Sequence, residues 1–352
     1  MLWASLADQR PGRELHWLAQ MPGTEVTALG NPLPYGQERW MPMRYRRPVR
    51  RFVEAGAFAW MRGLDDLDLE TDWIASLELC SLVTGQASTW ARRRKVRQAV
   101  LTWENDPRQP LYRLPPYRGA LRRAREADLF LCFIQAAREH LLSLDVPDER
   151  IRVVLPGVDT ALFSPAPEPQ PRPELVFVSP VAANKGIDRV LEAFDLVRRQ
   201  VPDAHLTVMG RGPLVPLVQT WSARTAGAVT YVGAGAPRDV AARLRSSAVF
   251  VTAPRATWRW NEQFGLAYLE AMSSGLPVVT TRCGTNHEAV PPPNPMVADD
   301  AEELADALVG LLDDPSRRAV LGAANRAHVL AHHELGEQTR LMGEAFAGFE
   351  RQ

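Results

Sequence analysis

Short apolar runs alternate with helix-like stretches along most of the chain, and this alternation restricts the fold more than any other feature. A first series of runs covers residues 2–6, 25–29, 73–77, 98–102, 129–133 and 151–155. A second series covers residues 175–179, 205–209, 230–232, 249–252 and 277–281. Strands that alternate with helices form parallel sheets with helices packed on both faces. We therefore predict an α/β protein with one parallel sheet for each series.

A proline-rich segment, SPAPEPQPRP at residues 164–173, separates the two series. Prolines fix the backbone and remove hydrogen-bond donors, so such a segment behaves as a semi-rigid linker and not as part of a core. At 352 residues the chain also exceeds the usual size of one domain. Two doubly wound domains joined at this linker are the natural prediction.

Charge and cysteine content exclude several classes of protein. The formal net charge is zero, so nothing attracts the chain as a whole to nucleic acid. The three cysteines are scattered, which argues against a disulfide framework or a zinc site and favours a reducing compartment. No apolar run approaches the roughly 20 residues of a membrane span, and the first residues lack a signal-peptide pattern. We expect a cytoplasmic protein.

The stretch NEQFGLAYLEAMSSGLPVV, at residues 261–279, is the most informative for function. Gly265 is predicted to begin a helix, whose free backbone N–H groups and positive dipole end can receive a phosphate. Glu270 then falls in the second turn, where its carboxylate can accept a pair of hydroxyl hydrogen bonds such as a ribose offers. Glu262, just before the helix, can reach another group of the same ligand. The alternative is a capped, solvated amphipathic helix with two incidental glutamates.

Glycine turns follow several of the predicted strands. Residues 210–213 (GRGP), 233–237 (GAGAP) and 11–13 (PGR) can each bring backbone N–H groups to an anion, or can simply satisfy the packing of a strand-to-helix turn. Lys185 is more specific, because it lies at the predicted N-terminus of a helix over residues 187–199, where the dipole disfavours a cation. An anionic ligand explains this lysine better than stability does.

Five segments occur together in an order and spacing that resemble retaining glycosyltransferase family 4. They are VLPGVDTALFSP (154–165), FVSPVAANKGIDRVLEAF (177–194), LTVMGRGP (206–213), VTYVGAG (229–235) and EQFGLAYLEAMSSGLPVVTTRCGTNHEAV (262–290). The resemblance covers the chain from about residue 146 onward. The earlier part resembles the family only loosely, through residues 11–12 and 81–105.

This resemblance implies a GT-B fold, with two facing Rossmann-like domains that each contain a doubly wound parallel sheet. Residues 1–160 would form the acceptor-side domain and residues 161–336 the sugar-nucleotide-binding domain, and a final helix over residues 337–352 would cross back onto the first domain. The implied enzyme moves a sugar, with retention of configuration, from a UDP- or GDP-sugar to a hydroxyl of a glycan, a lipid-linked molecule or a small molecule. The family's front-face displacement needs no protein nucleophile and no bound metal.

The resemblance also implies roles for particular residues. Lys185 would hold the donor diphosphate and Glu270 the ribose hydroxyls. Glu262 would bind hydroxyls of the transferred sugar and counter the positive charge that develops at its anomeric carbon. The remaining positions would provide backbone contacts to the donor: Phe264, Gly265, Leu266 and Gly12.

The chain departs from the family pattern near the expected diphosphate. Pro180 stands where a phosphate-binding arginine is usual, so the missing cation must come from elsewhere, and Arg211, Arg255 and Arg259 are the candidates. Arg13 stands where a second glycine is common, and it either places a cation near the diphosphate or begins a helix.

A third departure lies in the first domain. Trp103 and Glu104 follow a predicted strand at the place where many relatives carry a histidine near the donor sugar. We expect one of these two side chains to shape the acceptor site.

Positive charge concentrates in residues 43–52 (MRYRRPVRRF), with a second run at residues 92–95. Interleaved with aromatic residues, these side chains could seat the acceptor domain on the anionic inner face of the cytoplasmic membrane, where lipid-linked acceptors reside. Alternatively they form a solvated helix face, and for residues 92–95 a favourable helix C-terminus. Pro48 weakens the membrane interpretation, because it interrupts a long surface helix.

Two other function classes remain open at this point. A sugar-nucleotide epimerase shares the two-domain architecture and the diphosphate chemistry, but it would act on the donor without an acceptor. A non-catalytic subunit that binds a nucleotide sugar is the second, and Pro180 is its best support. Lys185, Glu262 and Glu270 together favour an active enzyme.

Overall fold

The computed structural model describes residues 1–4, 13–30, 39–43, 45–46, 60–106, 110–167, 173–257 and 260–349. Gly12, Arg259, half of the linker and most of the basic run at residues 43–52 lie outside these ranges. The chain divides into two compact units. The first contains the described residues up to Gly157 together with those from Leu335 onward, and the second is Val158–Glu334.

The first unit is built on a parallel sheet. Its described strands are β1 (Leu2–Ala4), β2 (Thr27–Gly30), β3 (Arg39–Pro42), β4 (Tyr45–Arg46), β5 (Trp60–Met61), β6 (Trp73–Leu77), β7 (Arg97–Thr102), β8 (Leu129–Cys132) and β9 (Ile151–Val153). Seven of them form the sheet in the order β3-β2-β1-β6-β7-β8-β9, whereas β4 and β5 pair separately and antiparallel. The helices of its first part are α1 (Arg13–Ala19), α2 (Leu82–Arg94), α3 (Pro115–Ala124) and α4 (Gln135–Ser143).

The central strands of the first unit have no polar face, because helices cover the sheet on both sides. Strand β8 reads LFLC and is buried at every residue. Ser81 caps the start of α2, where its side chain accepts a hydrogen bond from the Thr84 N–H at 3.4 Å, and Lys95 caps the end of the helix in the left-handed conformation. Its buried face packs with the sheet in a cluster that includes Trp90 and Ile74.

The second unit is built on a parallel sheet of six described strands. They are β10 (Glu174–Val178), β11 (His205–Met209), β12 (Val229–Gly233), β13 (Val249–Val251), β14 (Val278–Thr281) and β15 (Met296–Val297), in the order β12-β11-β10-β13-β14-β15. The helices are α5 (Ile187–Gln200), α6 (Val215–Arg224), α7 (Pro237–Arg245), α8 (Leu266–Ser273), α9 (Ala301–Leu312) and α10 (Pro315–His332). The expected α/β fold with two parallel sheets is therefore confirmed.

The strand order of the second unit reverses between β10 and β13. Strand β10 pairs with β11 on one side and with β13 on the other. The chain that follows β10 therefore continues toward one edge of the sheet, and the chain that follows β13 continues toward the other edge. Loops diverge at such a point and leave a crevice at the carboxyl ends of the strands. Helix α5 covers this region with an apolar stripe at Ile187, Val190, Leu191 and Phe194, which are all buried.

The last helix, α11 (Leu335–Ala347), belongs to the first compact unit. The Phe346 ring meets the Trp73 ring edge-on, with 5.0 Å between centroids. The Arg97 guanidinium stacks over Trp73 and donates to the Phe349 carbonyl at 2.6 Å. Aromatic burial and this hydrogen bond fix the helix and the residues after it against the starts of β6 and β7.

Several short strands were not expected from the sequence. Strand β3 ends in a proline, and β15 follows directly on the proline-rich residues 291–295, so neither shows an apolar run of normal length. The pair β4 and β5 contributes only two residues from each side. Among the described helices, none is both long enough and apolar enough to cross a membrane.

Candidate active site

The predicted donor residues of the second unit converge at the carboxyl ends of β10 and β13. Lys185 follows β10, and Glu262 follows β13. Strands β10 and β13 are hydrogen-bonded neighbours, so their loops emerge side by side although the two residues lie 77 positions apart. The switch in strand order thus brings the two side chains together.

Lys185 ends a short 3₁₀ turn, Ala183–Lys185, that leads into α5. Gly186 follows in the left-handed conformation with φ of 71°, and a Cβ at this position would lie 1.7 Å from the Ala253 carbonyl oxygen. Only glycine accepts both the positive φ and this approach. The turn that carries Lys185 therefore packs directly against the loop after β13.

Glu262 is 6% exposed and makes an ion pair with Lys185. The distance from Lys185 Nζ to Glu262 Oε2 is 2.6 Å. The ammonium also lies over the Trp260 ring, 4.6 Å from its centroid. The aromatic face and the carboxylate together hold the amine in one place.

The backbone of Glu262 is held by the turn after β14. The Glu262 carbonyl accepts a hydrogen bond from the Thr285 N–H at 3.0 Å. Gly284, with φ of 56°, lies so close that its Cβ would be 2.1 Å from the same carbonyl oxygen. Asn286 is fully buried and stabilises the turn, since its amide donates to the Thr281 carbonyl at 2.8 Å. Sequence reasoning missed Gly284, Asn286 and Trp260, although the first two stand in the segment that carries the resemblance.

Helix α8 starts at Leu266, after Gly265 in the left-handed conformation with φ of 86°. The N-cap residue is this glycine, which has no side chain to cap the helix end. The Tyr268 ring lies under Gly265, where an added Cβ would meet it at 2.4 Å. The Tyr268 hydroxyl bonds to Thr252 and Thr280, at 3.0 and 2.9 Å, and burial raises its pKa. The helix N-terminus is thus fixed to β14 and to the end of β13. Its first backbone N–H groups point along the helix axis, out of the N-terminal end.

The other predicted residues of this motif surround the same helix end. Glu270 lies on α8 and is 5% exposed, so its carboxylate is largely removed from water. Phe264 is buried, and its ring is 5.9 Å from that of His333. Glu262, Phe264 and Gly265 lie between β13 and α8, and Leu266 is the first residue of that helix.

The three arginines proposed to compensate for Pro180 have different surroundings. Arg211 is exposed, in the glycine turn after β11, and its carbonyl accepts from the Val181 N–H at 2.9 Å. The Arg255 guanidinium makes an ion pair with Asp188 and donates to the Ala183 carbonyl at 3.0 Å. This pair raises the pKa of Arg255. Arg259 lies outside the described residues.

Trp103 and Glu104, in the first unit, are both buried at the end of β7. The Trp103 indole N–H donates to Glu14 at 2.8 Å. The Glu104 carboxyl group accepts from the Cys80 N–H at 2.6 Å and from the Tyr112 hydroxyl. Burial raises the pKa of Glu104 to about 7. Arg13, the remaining departure, is the first residue of α1, in line with the alternative of a helix start.

The arrangement in the second unit is suited to one kind of ligand. An ammonium and a carboxylate that touch each other can both bind a molecule that presents an anion and hydroxyl groups side by side. The N-terminus of α8 close by adds positive potential for the anion. A sugar attached to a phosphate has this pattern. Within the described residues, no group of three or more His, Cys, Asp and Glu side chains is arranged to hold a metal ion.

Comparison with known proteins identifies the second unit. Residues 172–314 match the family described as "Glycosyl transferases group 1". They form a group 1 glycosyltransferase domain. Lys185, Glu262 and Glu270 all lie inside this domain, and the predicted resemblance to glycosyltransferases is confirmed.

The relatives extend over most of the chain. A GDP-mannose-dependent monoacylated alpha-(1-6)-phosphatidylinositol monomannoside mannosyltransferase of Corynebacterium glutamicum is 26% identical over 343 residues, which are 93% of this chain and 87% of the relative. The GDP-mannose-dependent alpha-(1-6)-phosphatidylinositol monomannoside mannosyltransferase of Mycolicibacterium smegmatis is 28% identical and covers 82% of this chain and 78% of its own.

Solved structures of similar fold cover both units. The Anabaena protein HepE in complex with UDP matches 99% of this chain and 99% of its own, with a TM-score of 0.78 and 15% identity. Sucrose-phosphate synthase of Thermosynechococcus elongatus matches 99% of this chain and 98% of its own, with a TM-score of 0.71 and 19% identity. The group 1 domain and the unit that precedes it thus have the GT-B fold predicted from the sequence.

Proposed function

We propose that the protein is a retaining glycosyltransferase that moves a hexosyl group from a nucleoside-diphosphate sugar to an acceptor hydroxyl. The observation that carries the proposal is the contact of Lys185 with Glu262 beside the start of α8 at Gly265. Lys185 binds the diphosphate, and Glu262 binds hydroxyls of the sugar on the other side of the scissile bond. Glu270 binds the ribose hydroxyls, while the backbone N–H groups of Gly265 and Leu266 contact the phosphate.

The reaction is a front-face displacement. The acceptor oxygen forms its bond to the anomeric carbon on the face from which the diphosphate leaves, and the acceptor proton passes to a diphosphate oxygen. Negative charge grows on the diphosphate and positive charge on the sugar ring in the transition state. Lys185 and the helix terminus stabilise the first, and the Glu262 carboxylate stabilises the second. Since the protein itself supplies the positive charge, transfer proceeds without a bound metal.

GDP-mannose is the donor that we put first. Four relatives are named as GDP-mannose-dependent mannosyltransferases, and the match covers 72–87% of the length of each of them. Solved structures of the same fold hold UDP or UDP-glucose instead, so UDP-glucose is the second donor to test. The same four relatives act on a phosphatidylinositol monomannoside, which makes a lipid-linked acceptor the first class to examine.

A lipid-linked acceptor requires access to a membrane surface, and the first unit carries exposed basic residues for this contact. Helix α2 ends in three arginines followed by Lys95, and α3 adds Arg118 and Arg122. Arg92 pairs with Glu126 at 2.9 Å and Arg94 with Asp68, which lowers the free charge. We place the protein in the cytoplasm, in peripheral contact with anionic lipid. Pelleting with phosphatidylglycerol vesicles at low salt, and its absence with phosphatidylcholine vesicles, would test this part of the proposal.

The donor assignment is tested by thermal unfolding of the full chain with GDP, GDP-mannose, UDP, UDP-glucose and ADP-glucose. A ligand at 100 times its dissociation constant stabilises the folded state by about 2.7 kcal/mol. We expect a clear rise of Tm with the correct base and none with the others. A chain that responds to none of the five would contradict the proposal.

Product analysis separates the remaining classes. An active transferase releases nucleoside diphosphate in the presence of an acceptor and gives a product with the anomeric configuration of the donor. An epimerase converts GDP-mannose or UDP-glucose to another sugar nucleotide with no acceptor present. A non-catalytic subunit binds the donor and leaves it unchanged under both conditions.

A further inference from the structure

Arg255 lies in the loop after β13 and contacts the turn that carries Lys185 on both sides of the lysine. Its backbone N–H donates to the Asn184 carbonyl at 3.1 Å, and its Nε donates to the Ala183 carbonyl at 3.0 Å. Its guanidinium also pairs with Asp188, in the first turn of α5. Two of the contacted residues precede Lys185 in the chain, and one follows it.

A second contact fixes the same turn from the same loop. Gly186 packs on the Ala253 carbonyl so closely that any side chain would displace it. Residues 253–255 therefore hold the backbone immediately before and after Lys185. The Lys185 side chain is 17% exposed and reaches Glu262, which emerges from the continuation of the same loop. One loop thus sets the positions of both members of the ion pair.

The Arg255 guanidinium already has hydrogen-bond acceptors in this arrangement. Its Nε faces a carbonyl oxygen, and one of its terminal nitrogens faces the Asp188 carboxylate. To turn fully toward a phosphate, the side chain would have to leave an anionic partner that is about two-thirds buried, and the Lys185 turn would lose its hydrogen bond from Nε to the Ala183 carbonyl. These contacts suit a residue that orients the lysine. They do not suit a phosphate-binding arginine that replaces the one missing at Pro180.

We propose that Arg255 is a positioning residue, which holds the Lys185 amine where it meets the donor diphosphate and does not itself contact the phosphate. This inference rests on the proposed function, because it assumes that Lys185 binds the diphosphate. Asp188 has an equal share in the role, since it orients the guanidinium from the helix side. The chain then compensates for the arginine missing at Pro180 by fixing the position of Lys185, and not by a second cation at the phosphate.

The decisive variant is Asp188→Asn. If Arg255 positions Lys185, loss of the Asp188 charge loosens the turn, and the affinity for GDP, or for UDP where that base is selected, falls on the order of 10-fold. Arg255→Ala weakens binding as much or more, and Arg255→Lys restores part of it. If Arg255 were a phosphate ligand, Asp188→Asn would free the guanidinium, and binding would stay unchanged or become tighter; either result overturns the proposal.

A double-mutant cycle with Lys185→Met gives an independent readout that a merely structural role would not move. Because Arg255 acts through Lys185, Arg255→Ala should cause little further loss of nucleoside-diphosphate affinity in the Lys185→Met background. Additive losses would contradict the proposal. Arg189→Ala is the matched control, because Arg189 lies on the same helix as Asp188 but pairs with Glu192 and with Asp299, which precedes α9. Failure of the wild type to bind GDP and UDP overturns the proposed function itself, whereas wild-type binding with unchanged Asp188→Asn and Arg255→Ala affinities overturns only the positioning role.

Discussion

Gly284→Ala tests whether the position of Glu262 controls transfer, because the glycine touches the Glu262 backbone and not its carboxylate. A Cβ at residue 284 would lie 2.1 Å from the Glu262 carbonyl oxygen, and real Cβ atoms do not approach closer than 3.0 Å. The two backbones must therefore separate by about 0.9 Å. Such a shift lengthens the distance between Lys185 Nζ and Glu262 Oε2 from 2.6 Å to the limit of a hydrogen bond.

The size of the effect follows from this displacement. Misplacement of a catalytic group by about 1 Å lowers the rate on the order of 100-fold. The positive φ of 56° adds a backbone cost of about 1–2 kcal/mol to the free energy of folding, since alanine is disfavoured there. We expect kcat/KM with the selected donor to fall by about two orders of magnitude, with a folded protein of lower Tm.

Gly227→Ala is the matched control for backbone strain. Gly227 has a φ of 85°, and no described atom lies within 4 Å of the position of its Cβ. It lies between α6 and β12, at the opposite end of the strand from the site. The control should lose about 1–2 kcal/mol of stability and keep its activity. If the two variants lose activity equally, or if Gly284→Ala is fully active, the position of Glu262 does not control the reaction.

Three further results are expected. Glu270→Gln should raise the dissociation constant for GDP or UDP on the order of 10- to 100-fold in calorimetric titrations, because one hydroxyl of the ribose loses a charged acceptor; an unchanged constant would remove Glu270 from the donor site. Transfer activity should survive dialysis against EDTA, and loss that is restored by Mg²⁺ or Mn²⁺ would contradict the metal-independent mechanism. The third concerns Glu104, whose pKa is raised from 4.5 to about 7 by burial, so that the folded state holds the proton more strongly than the unfolded state. Its contribution to stability should therefore fall as the pH rises from about 4.5 to about 7, and urea unfolding should show wild type losing stability relative to Glu104→Gln across that window; parallel pH profiles of the two proteins would refute this.

Most of the sheet architecture could be predicted from the sequence because parallel strands are buried on both faces and read as apolar runs. Strands β6 and β11 match their predicted ranges, and most other long strands differ from theirs by one or two residues at the ends. The strands that were missed, such as β3 and β15, lie at sheet edges, where short pairing and neighbouring prolines hide the pattern.

The site was predicted only as far as local sequence allows. The helix start at Gly265 could be predicted because glycine and the following apolar run mark it. The contact of Lys185 with Glu262 could not, because the strand order that joins two loops 77 residues apart is not encoded locally. The partner of Arg255 was hidden for the same reason, and an isolated arginine in a loop gives no sign of the carboxylate that it will meet.

The central claim is that Lys185 binds the diphosphate and Glu262 binds the transferred sugar, and one set of titrations separates these roles. GDP and GDP-mannose, or UDP and UDP-glucose where that base is selected, are titrated into wild type, Lys185→Met and Glu262→Gln. We predict that Lys185→Met weakens both ligands by a similar factor. Glu262→Gln should weaken the sugar nucleotide alone and leave the nucleoside diphosphate equal or tighter, because the lysine is released from its ion pair. Equal weakening of both ligands by Glu262→Gln, or unchanged binding in Lys185→Met, would contradict the account.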